Sequence, residues 1–308
     1  MKRCISLSLA VMVFTSCANL RPPAMPTQTF FDDFAYQTSL DPSLSRNGWT
    51  VREGVGGPGV PGTWSKNHIR FVEDPAQKGN TLMRLTAFTS GNETALTGQA
   101  EIYGPLAYLE GTYAARVRFT DQPIPESSGT PGPDGDSVVQ TFFTISDPAL
   151  PDDPNFDASK YSELDFEYLP NGAPMWGRPN TTMLTTSWAA YKNEPYVEEQ
   201  NPVANEKSHA GWRTVMVTVH QGKVTYFVDG VQYAQHDGKW YPDSKMRLDF
   251  NLWFIRRGIL ASNQKRTYEQ DVDWVMHVKD RALSFSELQE QIVKLRKQNL
   301  KFVNTIQP

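Results

Sequence analysis

The chain has 308 residues, with 30 basic and 34 acidic side chains, a net charge of −4 and 39% hydrophobic residues. So balanced a surface has no general field for nucleic acid or an anionic membrane, which excludes capture of either by bulk charge. The length suits one large domain, while 21 glycines, 22 prolines and 12% aromatic residues point to many turns and a good supply of flat side chains.

Lys2 and Arg3 precede a mostly apolar stretch from Ile5 to Phe14. That pattern predicts an export signal, and the stretch is too short to cross a bilayer. Both cysteines, Cys4 and Cys17, fall in this leader, so no disulfide is expected in the mature fold. Phe14-Thr15-Ser16-Cys17 resembles a lipobox. Residues 1–17 then read as a lipoprotein-type signal and 18–29 as an extended tether. Ordinary cleavage after Ala18 is the alternative. The expectation is an exported monomer, lipid-anchored at the outer surface or in the periplasm, or else secreted. Its contact with the membrane would be through Cys17 alone.

Residues 30–280 predict one all-β domain. Short alternating segments such as Thr81–Thr86, Thr112–Phe119, Val138–Thr144 and Val215–Val219 are separated by Gly, Pro, Asn and Asp clusters. Val224–Val228 runs into Asp229-Gly230, a hairpin turn signal. Many short strands of period two predict a sandwich of two antiparallel sheets. The turn-rich stretches 121–136 and 146–157 are either rims of a cleft or plain surface loops. Residues 281–308 predict a C-terminal amphipathic helix. Ser284 to Glu287 forms a capping box, and Leu288, Ile292, Leu295 and Phe302 follow at helical spacing, so the helix is expected over 285–303, packed on the outer face of the sandwich.

The stretch that carries chemistry is Glu163-Leu164-Asp165-Phe166-Glu167. On a strand, alternate residues share a face, so the three carboxylates project together and the two apolar residues point inward. Like charges on one face cost stability. A solvated acidic edge strand is the plain alternative. Four strand residues span about 13 Å, and two leaning glutamates bring their carboxyls to about 5 to 6 Å. That matches the spacing of about 5 to 5.5 Å used by retaining glycosidases. Asp165 between them supplies asymmetry, letting one Glu ionise while the other holds its proton.

The run resembles the E-[ILV]-D-[IVF]-E motif of the family 16 glycoside hydrolases, the β-jelly-roll lichenases and laminarinases, in its unbulged form. Further stretches fall in that family's order: Gly111–Arg118, Thr141–Thr144, Trp212 through Val228-Asp229-Gly230, Asn251-Leu252-Trp253 and Asp271–Val275. The resemblance covers residues from about Phe30 to Lys279. It implies a β-jelly-roll with Glu163 as nucleophile, Glu167 as general acid/base and Asp165 as the assisting carboxylate. The implied activity is a retaining endo-glycoside hydrolase acting on a β-linked polysaccharide, with β-1,3/1,4-glucan favoured. A transglycosylase of the same fold and a non-catalytic carbohydrate-binding surface protein are the alternatives. Arg213, Val215 and Val219 depart from the family's hairpin pattern, Tyr161 stands where lichenases have Trp, and Met183–Trp188 lacks a common Asn.

Tyr161, Trp188, Asn251 and Trp253 are the expected substrate-binding residues, and Phe142 reads as core. The five histidines are scattered, and no zinc motif is present. No cofactor is expected for catalysis. By resemblance, Asp273 marks a possible structural Ca2+ site on the convex face, with a salt-bridged Asp as the alternative.

Overall fold

Period-two alternation sorts each strand into a face that packs and a face that does not. The computed structural model describes residues 28–91, 97–125 and 134–306. The expected signal, Cys17 and nearly all of the tether lie outside the described residues.

The inner sheet runs in the order Thr50–Val51, Gly98–Tyr103, Arg247–Phe254, Val138–Ile145, Glu163–Leu169, Thr182–Lys192, Val197–Asn205. All these pairings are antiparallel. The outer sheet runs Ile69–Glu73, Thr81–Thr89, Arg266–Lys279, Gly111–Phe119, Gly211–His220, Lys223–Val228, Val231–Asp237. An antiparallel bridge between Phe88 and Gly98 joins the two sheets at one edge, where Gly62–Trp64 also pairs in parallel with Gly98–Gln99. This is the expected antiparallel jelly-roll sandwich.

Between the sheets lies one core. The Arg247–Phe254 strand sends Leu248, Phe250, Leu252 and Phe254 into it, and the Glu163–Leu169 strand sends Leu164, Phe166 and Tyr168. Val215, Val217 and Val219 meet them from the outer sheet. Each such side chain contributes about 1.5 to 3 kcal/mol through burial. The alternate residues of the inner strands therefore face outward on the concave side, and register is pinned because a one-residue slip would exchange the faces. Phe142 is fully buried and stacks near Phe166 and Phe250, as a core residue should. At the predicted hairpin, Asp229 and Gly230 take φ of 50° and 79°, and Val228 pairs with Val231. Two positive φ values are what a two-residue turn of matching twist requires.

The convex face carries the helix Phe285–Lys297. Its capping box is formed: Glu287 N–H donates to Ser284 Oγ at 3.3 Å, and Ser284 N–H donates to Glu287 Oε2 at 2.8 Å. Leu288, Ile292 and Leu295 pack on Ala114, Met216, Trp274 and Met276 of the outer sheet. The helix is shorter than the 285–303 expected. Asn299 adopts φ of 55°, a left-handed conformation that stops a helix. Phe302–Asn304 then becomes a strand, pairing antiparallel with Thr29–Asp32, so Phe302 continues the core edge beside Phe30 and not the helix stripe.

Candidate active site

The Glu163–Leu169 strand is central in the inner sheet. Its cross-strand partners set what surrounds each carboxylate. Glu163 lies between Trp188 and Ile145, Asp165 between Thr186 and Phe143, and Glu167 between Leu184 and Thr141. All three acids open into a concave cleft of about 1020 Å³. Its ends carry aromatic rings, with Tyr191 and Tyr196 on one side and Trp176 and Trp253 on another.

Hydrogen bonds make the three acids unequal. Tyr161 Oη donates to Glu163 Oε2. Trp188 Nε1 donates to Asp165 Oδ2 at 2.8 Å. Asp165 and Glu163 share a further side-chain hydrogen bond. Burial, then the charges of Glu163 and Glu167, push the Asp165 carboxyl well above the usual carboxylate range. Asp165 is thus the proton donor of its pair, held in place by the Trp188 indole. Burial also raises Glu163 to about 7, against the pull of the Tyr161 and Asp165 hydrogen bonds and the positive charge of Arg247. Glu167 is raised to about 7 by burial and by the charge of Glu163, and Arg178 pulls the other way. Glu163 has three groups that favour its anion and Glu167 has one. The two carboxyls titrate as one pair at about 7 in unequal surroundings, and those surroundings favour the anion at Glu163 more than at Glu167.

Beside this triad sits a charged cluster that reading by motif missed. Arg247 pairs with Asp249 at 2.7 Å and with Glu101 at 3.2 Å, and Glu101 pairs with Arg52 at 2.7 Å. Arg247 also lies over the Tyr103 ring, 3.7 Å from its centroid. The alternation Arg247-Leu248-Asp249-Phe250-Asn251 was the available signal: it puts Arg247 and Asp249 on the face of Asn251.

The expected substrate-binding residues all line the cleft, in different ways. Tyr161 is 6% exposed, with its ring edge-on to Trp188. Its hydroxyl is committed to Glu163, so its polar end faces the carboxylate. Trp188 is half-buried and holds Asp165. Asn251 is fixed by Thr141, whose Oγ1 donates to Asn251 Oδ1 at 2.7 Å. Trp253 is 7% exposed and lies 6.3 Å from Trp176, which at 45% exposure is the more open ring of the two.

Asp273 does not fit a calcium ligand. Its carboxylate receives Arg116 at 2.6 Å, Arg296 at 2.6 Å and the Asn80 amide at 2.8 Å. Arg296 also reaches Asp33 at 2.5 Å. Two guanidiniums already supply the positive charge, and calcium needs six to eight oxygens in its place. Among the described residues no group of three or more His, Cys, Asp or Glu side chains is arranged to hold a metal. The salt-bridged alternative is the correct reading of Asp273. A bulge between Val272 and Trp274 turns it outward, beside Trp274 on the helix-covered face.

The sequence matches no protein-family model and no curated protein sequence. Solved structures do match. A Bacillus licheniformis β-glucanase aligns at TM-score 0.55 and 16% identity, covering 82% of this chain and 98% of its own. A Bacteroides ovatus family 16 protein from a mixed-linkage glucan locus, solved with a G4G4G3G product, aligns at TM-score 0.57 and 15% identity, covering 80% and 98%. A Mycobacterium tuberculosis protein described as an immunostimulatory antigen and pseudo β-1,3-glucanase aligns at TM-score 0.54 and 19% identity, covering 83% and 100%. At such identities the likeness is one of architecture. This chain has the fold of the family 16 glycoside hydrolases.

Proposed function

We propose that this chain is a retaining, endo-acting glycoside hydrolase of a β-linked polysaccharide. The observation that carries the reading is the row Glu163, Asp165, Glu167 on one strand face at the floor of an open cleft, with unequal partners. A solvated acidic edge strand would need none of this: the strand is central, and Asp165 is 4% exposed. Clustered, partly buried carboxylates cost stability, and such sites are typical of chemistry.

In the mechanism, the Glu163 carboxylate attacks the anomeric carbon while Glu167 gives its proton to the departing glycosidic oxygen. The bond from the anomeric carbon to that oxygen breaks, and an ester to Glu163 forms. Glu167, now ionised, takes a proton from water, whose oxygen attacks the same carbon and releases Glu163. Two displacements return the original configuration. Tyr161 and Asp165 hold Glu163 as the anion before attack and receive it again as leaving group.

The names of the structural neighbours support a β-1,3/1,4-glucan backbone as the first to try. The reading also includes export, with Cys17 as a lipid anchor. The test is product release from a glycan panel by protein starting near Ala24, with Glu163→Ala as control and Glu167→Ala assayed with azide. Activity absent in Glu163→Ala, and recovered by azide in Glu167→Ala, is expected. Products longer than the substrate would indicate a glycosyl acceptor in place of water. A folded protein that binds glycans without turning any over would place it with the pseudo-glucanase described for M. tuberculosis.

A further inference from the structure

The floor of the cleft is acidic, but four guanidiniums also line it: Arg52, Arg178, Arg247 and Arg256. Two are answered within the protein. Arg52 binds Glu101 and, at 2.6 Å, the Gly57 carbonyl, and Arg247 binds Asp249 and Glu101. Arg178 and Arg256 have no carboxylate partner among the described residues. Both belong to one end of the cleft. Arg178 closes the turn that carries Trp176, bridged to Ala173, and Arg256 leaves the strand that carries Trp253. The Trp176 and Trp253 rings are 6.3 Å apart. Two guanidiniums without an ion pair among the described residues thus line the cleft on the two segments that bring this pair of aromatic rings to it. Arg178 also sits close enough to Glu167 to pull against the retention of its proton, which opposes work as a general acid. A sugar hydroxyl does not neutralise a guanidinium. A sulfate ester or a carboxylate does, and accepts its parallel N–H donors in plane.

We propose that Arg178 and Arg256, with Trp176 and Trp253, form a subsite for an anionic substituent, so that the preferred substrate is a β-linked glycan bearing sulfate esters or uronate carboxylates. This rests on the glycosidase reading and narrows its substrate. Substrate binding then removes the charge that works against Glu167, and the acid is completed by the molecule it cleaves.

The test is affinity electrophoresis of Glu163→Ala, which cannot degrade the gel polymer, in gels of carrageenan, desulfated carrageenan, alginate, carboxyl-reduced alginate and mixed-linkage glucan. Binding at least about ten-fold tighter to one charged polymer than to its neutral counterpart is expected, weakened about ten-fold by adding Arg178→Gln or Arg256→Gln and further by salt. Carrageenan retention identifies sulfate, and alginate retention carboxylate. Retention by neutral glycans, unchanged by either arginine substitution, overturns the subsite and leaves the glycosidase standing. Retention by a charged polymer that ignores both substitutions overturns it too, as diffuse attraction. Retention by none removes the subsite and the glycan reading together. Melting curves matched to Glu163→Ala confirm that the arginine variants are folded.

Discussion

Replacing Glu167 by Gln should stabilise the protein in alkali and not in acid. The wild-type carboxyl is raised from its ordinary value of 4.5 to about 7 by burial and by Glu163. At about 1.4 kcal/mol per pH unit, that difference corresponds to roughly 3 kcal/mol. The side chain is half-buried and titrates together with Glu163, which reduces the figure to about 1 to 2 kcal/mol. The sign follows from proton counting. Between about pH 4.5 and about pH 7 the folded state binds more protons at this site than the unfolded chain, so stability falls as pH rises through that window. Below it the group contributes no penalty, and above about pH 8 the penalty is complete. Glutamine cannot ionise and escapes it. Urea unfolding of wild type and Glu167→Gln, followed by tryptophan fluorescence at about pH 4 and about pH 8.5, measures the difference, provided the slopes agree. A gain of about 1 to 2 kcal/mol at the higher pH only is expected. Equal differences at the two pH values would refute the account of a buried, repelled carboxylate.

Tyr161→Phe removes a hydrogen bond to the ionised form of Glu163 and should move the acidic limb of the kcat/KM profile upward by about one pH unit; an unmoved limb would show that the hydroxyl does not tune the nucleophile. Trp188→Phe keeps a ring but leaves Asp165 without its indole donor. It should lower kcat by about ten-fold with little change in KM, and a change in KM alone would assign Trp188 to sugar binding. Arg296→Ala removes one of the two cations that serve each of Asp33 and Asp273, both no more than 1% exposed, and leaves Lys301 and Arg116 in place. It should cost about 2 to 3 kcal/mol in chemical denaturation. Wild-type Tm should be the same in chelator and in millimolar calcium, and a rise with calcium would contradict the guanidinium assignment.

Local patterns carried much of this molecule. The alternation in Glu163–Glu167 is enough to put three acids on one face, because a strand has period two whatever surrounds it. The Asp229-Gly230 turn and the Ser284–Glu287 capping box are equally local, each decided by backbone conformations within four residues. What the acids do there is not local. Tyr161 and Trp188 read as substrate-binding residues, and only folding shows that their polar atoms turn onto Glu163 and Asp165. The Arg52–Glu101–Arg247 cluster joins partners 49 and 146 positions apart, and Arg296 meets Asp33 across 263. No window of sequence contains such pairs. The end of the C-terminal helix was also a tertiary decision: Phe302 has helical spacing, but the unpaired edge of Thr29–Asp32 offers backbone hydrogen bonds and Phe30 offers an aromatic contact. Periodicity therefore determined which faces exist and which residues share them. Only the packed sandwich decided which distant charges meet on those faces, because desolvation leaves a buried charge no choice but to find a partner.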